Sequence, residues 1–126
     1  MADTFRVVVL VSGSGSNLGS LIDTVHGRDG IAIVRVVSSK EGVLALERAE
    51  AAGIPTAVVP LAGRDREERD AELAEVVAAE RPDLVVLAGW MSILTGVFLD
   101  RFPDRVINLH PSLLPSFPGM HAIEQA

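Results

Sequence analysis

Two side chains in the stretch Asn108-Leu109-His110-Pro111-Ser112-Leu113-Leu114-Pro115 have types and spacing that could do chemistry together. A carboxamide can donate a hydrogen bond to a developing oxyanion. An imidazole, which titrates near neutrality, can carry a proton in either direction. The pair suits acyl or formyl transfer. Arg105 to His110 is rich in β-branched residues and reads as a strand, and Pro111 and Pro115 bar regular pairing beyond it. Strand side chains alternate faces, so Asn108 and His110 point the same way, at the edge where the chain leaves the sheet. The plainer alternative is that both only tie down a proline-rich loop.

A second candidate is Ser12-Gly13-Ser14-Gly15-Ser16-Asn17, between an apolar run and a helical pattern. Glycines let the backbone turn tightly and approach a ligand, and a helix start supplies unpaired N–H groups with partial positive charge. A phosphate monoester fits such a turn. No Lys follows the second glycine, so it is not a Walker A loop, and Leu18 stands where a G-x-G-x-x-G would have its third glycine. The plainer reading is a βα turn in which Ser16 or Asn17 caps the helix.

The elements that must position these residues alternate along the chain. Phe5 to Val11 reads as a buried strand, and the stretch from Asn17 to about His26 as a helix. Ile31 to Val37 is a second strand, followed by a helix from Val43 to Ala52 that Gly53 closes at its C′ position. Thr56 to Val59 is a short third strand. Arg64 to Glu80 is a helix with Leu73, Val76 and Val77 on one side and a charged, solvated face on the other. Pro82 breaks the chain before a fourth strand, Leu84 to Ala88, which is apolar on both faces. Trp90 to Phe102 is expected to be a short helical segment leading into the fifth strand.

This pattern predicts a doubly wound, mostly parallel α/β sheet with helices on both faces, whose ligands bind beyond the C-terminal strand ends. Three candidate elements fall there: the glycine turn, Gly89-Trp90-Met91, and Asn108 to His110.

At 126 residues the chain makes one modest domain. Its apolar residues are scattered in short segments, too short to cross a bilayer. With no cysteine and no secretory signal pattern at the N-terminus, a soluble, cytoplasmic protein is expected. Eleven Lys and Arg against seventeen Asp and Glu give a net charge of −6, which opposes adhesion to nucleic acid. Small-molecule substrates are the expected partners, and a homo-oligomer is left open.

Taken together, the chain closely resembles the phosphoribosylglycinamide formyltransferases of purine biosynthesis, which use 10-formyltetrahydrofolate as formyl donor. The resemblance runs through Val9 to Leu18, Leu46-Glu47-Arg48-Ala49, Pro82 to Met91, and Asn108 to Pro115 with Pro118-Gly119-Met120-His121. It implies the Rossmann-like formyltransferase fold, with Gly15, Ser16 and Asn17 holding the phosphate of glycinamide ribonucleotide. It further implies that Met91, Ser92, Ile93 and Leu94 line the folate pocket, partly through backbone groups, with Arg66 and Asn108 also beside the folate. Asn108 and His110 align with the family's catalytic pair, and neither a metal nor a covalent enzyme intermediate is required.

Two departures stand out. Ser92 occupies a place where family members often carry Arg, and Ala122-Ile123-Glu124 replaces a more polar, His-containing stretch. The family also continues past this length, with further strands and a catalytic Asp that orients the His, so residues 1–126 are expected to be a single formyltransferase domain without its C-terminal strands. Formyltetrahydrofolate deformylase and methionyl-tRNA formyltransferase carry a similar Asn, His and Ser-Leu-Leu-Pro-like stretch but lack this glycine turn. An alternative of a different class is a catalytically silent module that binds a phosphate or nucleotide.

Overall fold

A computed structural model of the protein describes residues 4–13, 16–60, 63–90 and 94–109. In chain order the elements are β1 (Phe5–Val11), α1 (Ser16–Thr24), β2 (Ile31–Ser38), α2 (Leu44–Ala51), β3 (Thr56–Val58), α3 (Arg66–Ala78), β4 (Leu84–Ala88), α4 (Gly96–Leu99) and β5 (Val106–Leu109). The strands form one five-stranded sheet in the order β3-β2-β1-β4-β5, and every adjacent pair is parallel.

β1 is the central strand, and its apolar run is divided between two cores. Val8 and Leu10 enter a cluster with Leu73 and Val77 of α3 and Phe98 of α4. Val7, Val9 and Val11 turn the other way, toward Leu18 of α1 and Ala45 and Ala49 of α2. A strand covered by helices on both faces has no polar side to show, which explains its continuous hydrophobicity. The doubly wound arrangement read from the sequence is the one observed.

α3 runs antiparallel to the strands, and polar contacts fix both of its ends. Asp65 caps it by accepting the backbone N–H groups of Glu67 and Glu68, each at 3.1 Å. The helix therefore begins at Arg66, two residues later than expected, because a capping residue has an extended backbone. Arg64, expected inside the helix, instead donates to the carbonyl of Pro60 at 2.9 Å. Beyond the other end, the Glu80 carboxylate accepts from Nε and Nη2 of Arg35 at 2.9 and 2.6 Å. Arg6 Nε donates to the Glu80 carbonyl at 2.7 Å. The C-terminal end of α3 thus lies at the start of β1, and its N-terminal end lies where the strands finish.

The segment after β4 departs most from expectation. In place of a helix across Trp90 to Phe102, only Gly96–Leu99 is helical among the described residues. Thr95 has an extended backbone (φ −90°, ψ 173°) because its N–H and its hydroxyl are both held by Asp70. Helix can begin only after it.

Candidate functional site

The register of the sheet aligns Val37, Leu10, Leu87 and Asn108 side by side across β2, β1, β4 and β5. Residues in register on parallel strands share a face, and the first three all belong to the α3-side core. Asn108 is the polar end of an otherwise apolar row, near the C-terminal edge of the sheet. Its side chain is half-buried, and Oδ1 is buried with no hydrogen-bond partner among the described residues.

Trp90, just past β4, shares that face. It is only 5% exposed and packs in the cluster that includes Leu87, Leu94 and Phe98. Its Nε1 is also buried without a partner among the described residues. Two buried polar atoms of opposite character, an acceptor and a donor, therefore stand unpaired at the ends of neighbouring strands. Buried polar groups in folded proteins are nearly always satisfied, so this pair makes these strand ends the candidate site.

β1 and β4 are neighbours from which the chain winds outward in opposite directions, so their C-terminal ends flank the topological switch point. Ligands bind there in open α/β sheets. Ser12 and Gly13 lie on one side of this crevice, and Gly89 and Trp90 on the other. Ser12 is buried, its hydroxyl accepting from that of Ser39 at 3.0 Å, while the Gly13 carbonyl accepts from Ala45 N–H at 3.2 Å. These bonds tie the turn to β2 and α2. α1 then begins at Ser16 with no acidic residue in its first turn, so no carboxylate of that turn offsets the partial positive charge of its N-terminus. Asn17 is half-buried in that first turn. The guanidinium of Arg48 lies against α1, where a Cβ built on Gly19 would come within 3.2 Å of Nη1.

The remaining residues expected at the site are placed as follows. Arg66 is the first residue of α3, exposed, on the side of the sheet where the strands finish, although β3, which precedes it, and β5, which carries Asn108, are opposite edge strands. Leu94 is buried in the α3-side core. Gly15, Met91, Ser92, Ile93 and His110 lie outside the described residues, as do Pro111 to Ala126.

One contributor escaped the sequence reading. Asp70, fully buried in α3, accepts the backbone N–H of Thr95 at 2.6 Å and its hydroxyl at 2.7 Å. Arg69 Nε donates to the other carboxylate oxygen at 3.3 Å. This carboxylate anchors the segment after β4 to α3 and so helps fix where Leu94 sits. The signal was present: Asp70, Leu73 and Val77 follow the i, i+3, i+7 spacing of one helix face.

An open hollow of about 370 Å³ lies at the opposite end of the sheet, lined by Arg81, Pro82, Asp83, Arg101, Phe102 and Arg105 among others. Arg101 there is paired with Glu75, and Arg105 donates to the Pro82 carbonyl. It is remote from the strand ends that carry Asn108 and Trp90.

Comparison with known proteins places this geometry in a family. The Formyl transferase family model matches residues 5–126. The chain belongs to the formyl transferase family. It is 44% identical over 123 residues to the phosphoribosylglycinamide formyltransferase of Escherichia coli (strain K12), covering 96% of this chain and 58% of that protein. It is 48% identical over 125 residues to the trifunctional purine biosynthetic protein adenosine-3 of Drosophila melanogaster, covering 96% of this chain and 9% of that protein. Among solved structures, glycinamide ribonucleotide transformylase 1 from Symbiobacterium toebii superposes with a TM-score of 0.82 at 41% identity, over 100% of this chain and 60% of that one. This formyl transferase chain thus spans 58%, 9% and 60% of the three relatives named, and its five parallel strands and flanking helices share their fold.

Proposed function

We propose that the chain carries the ribonucleotide-binding and transfer elements of a phosphoribosylglycinamide formyltransferase. The reaction moves a formyl group from 10-formyltetrahydrofolate to the glycyl amine of N1-(5-phospho-D-ribosyl)glycinamide in purine biosynthesis. The observation that carries this reading is Asn108, whose carboxamide oxygen is unpaired among the described residues, closing an apolar row at the C-terminal edge of the sheet, where the glycine turn and the start of α1 also lie. The names of the relatives support the choice of substrate over those of other formyl transferases.

In this reading Gly15, Ser16 and Asn17 hold the ribonucleotide phosphate through N–H groups at the start of α1. Arg66, Leu94, Asn108 and the segment Met91, Ser92 and Ile93 form the folate side of the crevice. Bound there, 10-formyltetrahydrofolate supplies the electrophilic formyl carbon. Asn108 donates from its amide nitrogen to the formyl oxygen as the glycyl amine adds, and a protonated His110 shares the charge that develops. His110 then gives its proton to the departing folate nitrogen and recovers one from the former amine, so the new C–N bond forms and the old one breaks with no net proton change. No step needs a metal.

The reading treats residues 1–126 as part of one catalytic domain, with small molecules rather than nucleic acid as partners and a cytoplasmic setting. Among the described residues no helix is long and apolar enough to cross a membrane. The test is to incubate the chain with glycinamide ribonucleotide and 10-formyl folate and follow the absorbance of the deformylated product. Turnover that disappears in His110→Ala is the expected result. Ribonucleotide binding without any turnover would favour a silent binding module instead.

A further inference from the structure

We propose that the indole N–H of Trp90 is a hydrogen-bond donor to the heteroaromatic ring of the folate co-substrate, which makes Trp90 a binding residue of the site in addition to a core residue. The proposal rests on the formyl-transfer reading and deepens it by naming which side chain recognises the ring.

Nε1–H is a donor with no acceptor capacity, and a buried tryptophan normally finds it a partner. Here the atom is buried and unpartnered among the described residues, although the ring around it is closely packed at 5% exposure. If packing alone were required after β4, a phenyl ring would fill most of the same space without burying a donor. Leaving one unpaired is unfavourable unless a ligand acceptor completes it.

The position supports a ligand over a distant accident of packing. Trp90 follows Gly89, whose φ of +80° turns the chain sharply at the end of β4, at the topological switch point. It shares the α3-side face with Asn108, whose own buried oxygen is unpartnered on the adjacent strand. A heteroaromatic ring that carries a carbonyl and ring nitrogens offers acceptors for the first group and N–H donors for the second. A purely hydrocarbon ring would satisfy neither.

The experiment uses the full chain and 10-formylfolate as probe, with binding measured by isothermal titration calorimetry and folding by thermal melting without ligand. Trp90→Phe is expected to bind the probe roughly tenfold more weakly, the loss of one hydrogen bond, while the benzothiophene analogue of the tryptophan, which keeps ring size and exchanges N–H for sulfur, melts without ligand at an unchanged or higher temperature. Should Trp90→Phe fail to fold, affinity too is read on the analogue, since this tryptophan is the only one in the chain. Equal affinity for variant and wild type overturns the proposal and leaves the formyl-transfer reading standing. A clear drop in the melting temperature of the benzothiophene analogue without ligand also overturns it, since the partner of the N–H is then another part of the protein. A wild-type chain that does not bind the probe sinks the formyl-transfer reading and this proposal with it.

Discussion

Asn108 ends a row in which Leu87, its partner on β4, and Leu10 and Val37 beyond it are all apolar, so a leucine there would continue the row. Stability and chemistry should therefore respond in opposite senses to Asn108→Leu. Removing a half-buried carboxamide whose buried oxygen has no described partner leaves the melting temperature unchanged or raises it. Formyl transfer should fall by roughly 100- to 1000-fold, the cost of losing one donor to a developing oxyanion. Thermal melts and single-turnover rates on the same preparation check both halves. The placement of Asn108 was legible because a strand's alternation needs only local sequence. Its unpaired oxygen was not, because that depends on register across four strands and on what packs above the row.

At the scale of elements, α3 does more than cover the sheet. Asp70 holds the segment after β4 through two hydrogen bonds to Thr95, so the helix and the crevice are coupled through one buried carboxylate. Asp70→Ala leaves the Thr95 N–H and hydroxyl unpaired and should cost about 3 kcal/mol in urea denaturation. Thr95→Val keeps the N–H bond and should cost about 1 kcal/mol. The double variant should cost less than the sum, because both substitutions break the same contact. Sequence patterning located each of the five strands among the described residues, since buried parallel strands advertise themselves as short apolar runs bounded by Gly, Pro or charge. It placed a helix across Trp90 to Phe102 because the apolar residues there have helical spacing. Periodicity does not register that a carboxylate on another helix holds Thr95 extended. Asp70 went unnamed among the helix's many charges: its spacing from Leu73 and Val77 puts it on the buried face, but its partner, 25 residues away, is not visible to periodicity.

At the scale of the whole molecule, a chain of net charge −6 is read as binding an anionic ribonucleotide. Long-range attraction cannot account for that; short-range N–H groups at the start of α1 can, since a local dipole acts within a turn while the global field opposes approach. Ribonucleotide affinity should then change by no more than about twofold between low and physiological salt, because screening weakens the repulsion as well as the attraction. Titration calorimetry at several salt concentrations checks this. A steep loss of affinity with salt would point to a cationic surface and count against the site at the glycine turn. The sheet order was anticipated only as a class, because alternation of strands and helices fixes winding but not which strand lies at the edge.

The single tryptophan also gives the protein an optical property. Trp90 is buried at the switch point, so nearly all the intrinsic emission of the chain comes from one ring beside the crevice. An indole shielded from water emits at shorter wavelength than an exposed one, and a conjugated ring stacked or bonded nearby quenches it. Occupancy of the crevice can therefore be read from the unlabelled chain by its fluorescence alone, and each of the variants above, save those at Trp90 itself, carries its own reporter.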